Sequence, residues 1–168
     1  MINTNIYSQN DLRWRFKKVG YGPQTFGTDI FGRWTNAVGC TVTCLTSLLS
    51  ASGTVLTPDQ VNTALVYKNG FLNQGTIINP SGSLIYWPNI PSAFTNISFD
   101  GRFYAYNDAE VKNLISQGFP VLINVTWGGG HWVLALGDHM VMDPWDGKVK
   151  PFGTFQPVGY VSLTWKKA

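Results

Sequence analysis

Cysteine is scarce in this sequence, and the scarcity limits what its thiols can do. The 168 residues contain only Cys40 and Cys44. Two cysteines cannot form the disulfide framework of a small secreted domain, and they are too few to supply the four ligands of a structural zinc site. A bridge between them would span one helical turn, where disulfide geometry is strained. The sequence therefore predicts two free thiols.

Charge and long apolar runs are scarce as well. Charged residues make up 12% of the chain and the formal net charge is +3, which is enough to favour an anionic partner such as a cell-wall polymer but too small to indicate nucleic acid. No apolar stretch approaches the roughly 18 residues of a membrane span. Residues 1–5 lack the basic start and apolar core of a signal peptide. We therefore expect a protein that is soluble and cytoplasmic at synthesis, monomeric, and without a nucleic-acid partner.

The residues that are abundant indicate a folded chain. Hydrophobic residues make up 44% and aromatic residues 14% of the sequence, which is far from the composition of disordered segments. No internal repeat, low-complexity tract or linker interrupts it. A chain of this length has enough residues to bury a core, so we expect one domain over residues 1–168.

The helical patterns all lie in about the first two thirds of the chain. Residues 1–38 form an irregular arm without periodicity, and helical spacing of apolar residues then begins at Cys40 and stops before Gly53. Thr57 caps a second helix that Asn69-Gly70 ends, and Asn107 caps another that runs to Gly118. A short helix is expected around residues 83–87.

Strand patterns dominate the remainder. The apolar runs that predict strands cover residues 120–125, 131–136, 140–142 and 160–165. Gly137-Asp138 is a turn signal between the second and third of them. Helices followed by strands predict an α+β fold, in which N-terminal helices pack on a twisted antiparallel sheet.

Cys40 is the candidate nucleophile, because it follows Gly39 where the first helix begins. The free backbone N–H groups and positive dipole end of a helix N-terminus favour a thiolate. Cys44 lies one turn further along, where that influence has faded, and it is predicted to be a small buried hydrophobic residue.

His131 and Asp143 are the candidate base and the residue that orients it. His131 starts one apolar strand and Asp143 ends the next, so a hairpin between the strands brings the two side chains together. His139 is the alternative base, although it sits at a turn and is expected to be exposed. Asp146 is the alternative carboxylate, but it lies outside the strand.

Gln9, near the start of the arm, is the fourth candidate residue beside Cys40, His131 and Asp143. A loop glutamine is usually a surface residue, but acyl transfer requires a hydrogen-bond donor for the developing oxyanion beside the thiolate. Because the other three parts are present, Gln9 is the candidate donor.

Four segments together resemble the papain-like cysteine peptidases, in particular the branch related to the bacteriocin-processing, double-glycine-leader peptidases of bacteria and phages. The segments are Tyr7-Ser8-Gln9-Asn10-Asp11-Leu12-Arg13-Trp14, Gly39-Cys40-Thr41-Val42-Thr43-Cys44-Leu45, Gly130-His131-Trp132-Val133 and Met142-Asp143-Pro144-Trp145-Asp146-Gly147. The resemblance covers residues 7 to about 150. One difference is that this branch often has Gly-Pro after the nucleophile, where this chain has Thr41-Val42.

The resemblance implies amide hydrolysis through an acyl-thioester, with no metal or cofactor. It also implies that the substrate is a protein, a peptide or the cross-link peptides of bacterial cell wall, the last in a phage or bacterial lytic enzyme that is virion-associated or released to the wall. Two alternatives remain: a catalytically silent binding module on the same fold, and a thiol acyltransferase in which an amine intercepts the acyl-enzyme.

Overall fold

The computed structural model describes residues 1–34, 37–72, 82–127 and 130–167. Its α-helices are α1 (Cys40–Ala51), α2 (Pro58–Tyr67), α3 (Ile90–Ala93) and α4 (Asp108–Ser116). Its strands are β1 (Ile97–Phe103), β2 (Val121–Val125), β3 (His131–Gly137), β4 (Met140–Asp143), β5 (Lys148–Pro151) and β6 (Pro157–Trp165). The six strands form one sheet in the order β1-β6-β2-β3-β4-β5, and every neighbouring pair is antiparallel. The predicted α+β fold is confirmed.

Local sequence accounts for where the main helices begin. The amide oxygen of Asn107 accepts from the backbone N–H of Glu110 at 3.1 Å, which caps α4. The Gln60 side chain accepts from the backbone N–H of Thr57 at 3.0 Å, and Pro58 occupies the first turn of α2. Both starts were predicted, as was the start of α1 at Cys40.

Helices cover both faces of the sheet. On one face α1 and α2 pack with the arm against the side chains of residues such as Leu122, Leu134 and Met142. On the other face α4 packs against their sequence neighbours, including Ile123, Val133 and Val141. Alternate residues of a strand point to opposite faces, so β2, β3 and β4 are apolar on both sides. None of the helices in the described ranges is both long enough and apolar enough to cross a membrane.

The structure corrects three details of the sequence prediction. The short helix expected at residues 83–87 is wrong: Ile85 pairs with Phe71 in an isolated bridge, and helical turns begin only at Trp87. Pro88 and Pro91 account for the later helix start, because proline is accommodated in a first helical turn. Two further strands, β1 and β5, were not predicted. Since β1 precedes α4, the helices do not all come before the sheet.

The hairpin between β3 and β4 also turns one residue later than predicted. Gly137 still belongs to β3, and the turn residues are Asp138 and His139. Both have positive φ, 54° and 56°, as the two central residues of a type I′ hairpin turn do.

Candidate active site

Cys40 is the first residue of α1 and is partly exposed at the helix N-terminus. The preceding residue, Gly39, lies against the backbone of Phe26, and a Cβ on Gly39 would come within 2.7 Å of the Phe26 Cα and carbonyl oxygen. Only glycine therefore fits at the residue before the thiol.

The imidazole of His131 interacts with the Cys40 thiol and changes its acidity. Burial raises the pKa of Cys40, but hydrogen bonding and charge from His131, together with smaller contributions from Thr41 and the Trp132 backbone, bring that pKa below its ordinary value. Burial likewise lowers the pKa of His131. The hydrogen bonds of the imidazole to Asp143 and Cys40, and the negative charges of those two residues, raise the pKa to about 9. Both shifts favour the form of the pair in which the sulfur is a thiolate and the imidazole is protonated.

The carboxylate of Asp143 is hydrogen-bonded to the imidazole of His131. Its Oδ1 lies 2.8 Å from His131 Nε2, and both side chains are almost fully buried. Oδ1 also accepts from the backbone N–H of Trp145 at 3.0 Å, and Oδ2 accepts from Lys150 Nζ at 2.7 Å. Burial raises the pKa of Asp143, but these donors, led by His131 and Lys150, hold it at about 2. The carboxylate is therefore ionised at neutral pH.

Strand register explains this row of side chains. His131 is two residues before Val133 on β3, and Asp143 is two residues after Val141 on β4, so both point to the face that carries these valines. Val141 is paired directly with Lys150 of β5. Base, carboxylate and lysine thus lie side by side on three neighbouring strands.

Gln9 is 1% exposed and lies beside the nucleophile. Its Nε2 donates to the carbonyl oxygen of Phe26 at 2.9 Å, and the backbone N–H of Gly39 donates to the same oxygen at 3.1 Å. One carbonyl therefore links the amide of Gln9 to the residue before Cys40. Nε2 retains a second hydrogen, and Oε1 is buried without a hydrogen-bond partner among the described residues.

Three hydrogen bonds join the Gln9 segment to the Asp143 segment. The backbone N–H of Gln9 donates to the carbonyl oxygen of Pro144 at 2.7 Å. The Ser8 hydroxyl and the Asn10 amide donate to the carbonyl oxygen of Trp145 at 3.0 and 2.8 Å. The arm, which has no periodicity of its own, is held in place by these contacts.

Three of the four candidate residues, Gln9, Cys40 and His131, line a cleft of about 370 Å³. Its lining is Gln9, Trp34, Ala37, Cys40, Trp127, Gly130, His131 and Trp145. The ring of Trp127 lies 4.8 Å from the His131 ring and 6.0 Å from the Trp145 ring, measured between centroids. Trp34 and Trp127 are 58% and 48% exposed, so their faces are accessible to a ligand. Beyond the thiol and imidazole, the cleft presents aromatic and neutral surface.

The alternative residues lie elsewhere. Cys44 is fully buried, its sulfur contacts the Trp132 carbonyl oxygen at 3.5 Å, and burial raises its pKa well above the ordinary value. His139 is exposed in the hairpin turn, at the opposite end of β3 from His131. Asp146 pairs with Lys150 at 2.9 Å and does not contact the imidazole.

Sequence reasoning missed Lys150, the Phe26 carbonyl and the aromatic walls. Lys150 could have been found from the alternation that follows the Asp146-Gly147 turn, which predicts one more strand beside Asp143. The Phe26 carbonyl carries no sequence signal, because any residue supplies one. In the described ranges, no group of three or more His, Cys, Asp or Glu side chains is arranged to hold a metal ion.

The model of one protein family, described as "Peptidase_C39 like family", matches residues 1–163, which is almost the whole chain. No curated protein and no solved structure matches the chain significantly. The match includes all four candidate residues.

Proposed function

The chain belongs to the Peptidase_C39 like family, and on that premise we propose that it hydrolyses amide bonds with Cys40 as nucleophile. In this proposal His131 is the general base, Asp143 orients it and Gln9 donates to the oxyanion. The observation that carries the proposal is that Cys40, at a helix N-terminus, lines the same cleft as His131, whose imidazole lowers the pKa of the thiol. The Asp143 contact occupies Nε2, so Nδ1 is the nitrogen left for the thiol.

The reaction follows from these positions. The Cys40 thiolate attacks the carbonyl carbon of the scissile amide, and the carbonyl electron pair moves onto oxygen. His131 gives its Nδ1 proton to the amine nitrogen as the C–N bond breaks, leaving an acyl-thioester on sulfur. Water then attacks the thioester and gives a proton to His131. Breaking of the C–S bond releases the acid and restores the thiolate.

Two donors are available for the oxyanion. The backbone N–H of Cys40 is in the first turn of α1, where amides have no partner within the helix. The second hydrogen of Gln9 Nε2 is the other donor, and the Phe26 carbonyl fixes the amide that carries it. Donors held in advance of the reaction stabilise charge that develops in the transition state.

The substrate is a protein, a peptide or the cross-link peptides of bacterial cell wall. The open cleft with aromatic walls supports a peptide chain, since tryptophan faces pack against backbone and apolar side chains. The net charge of +3 supports the cell-wall version, because it favours approach to an anionic polymer. In that version the protein is a phage or bacterial lytic enzyme.

The test measures new amino groups released from purified peptidoglycan and from casein. The parent protein should release amino groups from at least one substrate, and Cys40→Ala should release them from neither. Cys44→Ala is the matched control, because it removes a buried thiol one turn away and should keep activity. Binding without release by the parent would instead indicate the silent module. Amide products formed only when an amine is added would indicate acyl transfer.

A further inference from the structure

The second oxygen of the Asp143 carboxylate is bonded to a cation that the four-part site does not include. Lys150 Nζ donates to Asp143 Oδ2 at 2.7 Å and to Asp146 Oδ2 at 2.9 Å. The Asp143 side chain is 2% exposed and that of Lys150 is 29% exposed. This is a charge-assisted hydrogen bond to a buried carboxylate, which is among the stronger hydrogen bonds in proteins.

This contact completes the hydrogen bonding of the carboxylate. Oδ1 accepts from His131 and from the backbone N–H of Trp145, and Oδ2 accepts from Lys150. Rotation of the carboxylate about its Cβ–Cγ bond would break all three bonds together. The bond to Lys150 therefore prevents Oδ1 from turning away from the imidazole.

Lys150 is also in a position to set the electrostatic potential at the site. Among the described residues, the charged and titratable groups that interact with His131 and Asp143 are Cys40, the buried Cys44 and Lys150, and Asp146 acts on them through Lys150. The other neighbours of the imidazole are the rings of Trp127 and Phe155, which carry no charge. Lys150 is thus the cation that offsets the Asp143 charge.

We propose that Lys150 is a positioning residue for the reaction, which fixes the Asp143 carboxylate against His131 and limits its negative potential at the Cys40–His131 pair. The inference rests on the proposed function. Without Lys150, the carboxylate loses one restraint and its charge is no longer offset. More negative potential favours the protonated thiol and the protonated imidazole alike, so both pKa values rise together.

The test is the pH dependence of Cys40 alkylation by iodoacetamide, followed by peptide mass spectrometry, in the parent protein and in lysine variants. Lys150→Met should move both inflections of the profile to higher pH, by about half a unit or more. It should also lower the rate constant for hydrolysis of whichever substrate the parent cleaves, by roughly 10-fold, since the base is less well placed. Lys150→Arg keeps the charge and donors and should restore both properties.

Two controls separate this role from general effects of charge or folding. Lys148→Met removes a lysine from the same strand whose side chain is exposed, and it should shift the profile much less. Asp146→Asn removes a carboxylate that competes for Lys150 and should shift both inflections to lower pH. This second variant tests the inference even if Lys150→Met does not fold.

The outcomes also distinguish this inference from the proposed function. If Cys40 of the parent reacts as an ordinary thiol, with no inflection below the usual pKa of a free thiol, the proposed function is wrong. If the parent shows the reactive pair but Lys150→Met and Asp146→Asn leave both inflections in place, only the role of Lys150 is wrong. An equal shift in Lys148→Met would also overturn it.

Discussion

Nε2 of His131 lies 2.8 Å from Oδ1 of Asp143, across two neighbouring antiparallel strands. Because the carboxylate is ionised, Nε2 carries a hydrogen and donates it. That bond orients the ring and leaves Nδ1 as the nitrogen available to the Cys40 thiol. A proton moving between sulfur and nitrogen therefore does so along a direction that the hairpin geometry sets. The predictions below depend on this arrangement.

Cys40 should be alkylated much faster than Cys44 near neutral pH. Cys40 is partly exposed with a lowered pKa, whereas Cys44 is fully buried with a raised one. Brief labelling with iodoacetamide and peptide mass spectrometry measure the two rates, and labelling of the denatured chain provides the control. Equal labelling of the folded protein, or faster labelling of Cys44, would contradict the assignment of the nucleophile.

His131→Ala should reduce turnover by orders of magnitude, and Asp143→Ala should reduce it less. In the proposed mechanism the imidazole exchanges the proton, while Asp143 only orients and stabilises the imidazole. His139→Ala is the matched control: this histidine is exposed in the turn at the other end of β3 and should be dispensable. Steady-state kinetics on the cleaved substrate decide the order. A severe loss in His139→Ala with a mild one in His131→Ala would contradict the choice of base.

Gln9→Ala should lower the rate constant for hydrolysis by roughly 10²- to 10³-fold with little change in substrate binding. Alkylation of Cys40 forms no tetrahedral oxyanion, so its rate should stay close to that of the parent. Kinetics with substrate and with iodoacetamide, run on the same preparation, measure both effects. Hydrolysis at the parental rate would mean that Gln9 is not a donor and that the Cys40 N–H acts without it.

Ionised Asp143 should stabilise the fold above pH 4 and less so below. Its folded-state pKa of about 2 lies below the ordinary value, so the stabilisation is complete above the unfolded pKa and is lost as pH falls through the folded one. The difference in unfolding free energy between the parent and Asp143→Asn should therefore shrink between about pH 4 and pH 2.

Urea unfolding followed by tryptophan fluorescence at several acidic pH values measures that difference. Asp108→Asn is the control, because Asp108 forms an exposed ion pair with Lys112 and solvent screens such pairs. Its difference from the parent should change less with pH. A difference for Asp143→Asn that is constant from pH 5 to pH 2 would contradict the prediction.

The sequence predicted the elements that carry local signals and missed those that depend on pairing. The side chain of Asn107 and the capping box of Thr57 and Gln60 mark helix starts, so those boundaries were correct. The strand β5 is short and alternates lysine with valine, and it becomes a strand only because β4 offers it an edge. The strand β1 contains Gly101 and a register shift, which weaken its pattern.

The candidate site divides in the same way. Cys40 and His131 begin elements whose starts are visible in sequence, so their proximity could be predicted from topology. The position of Gln9 could not, because the arm has no periodicity and its path depends on contacts with Phe26 and Pro144. Lys150 was missed together with its strand.

The hydrogen bonds between the arm and the Asp143 segment determine when the site can form during synthesis of the chain. The Ser8 hydroxyl and the Trp145 carbonyl that it contacts are 137 residues apart, and such distant contacts form late in folding. On the ribosome, Gln9 and Cys40 emerge first, while the base and the carboxylate are about 90 residues or more behind the thiol. In the proposed mechanism, a nascent chain therefore carries an unactivated cysteine until β3 and β4 have formed, so the site could act only when synthesis of this region is nearly complete.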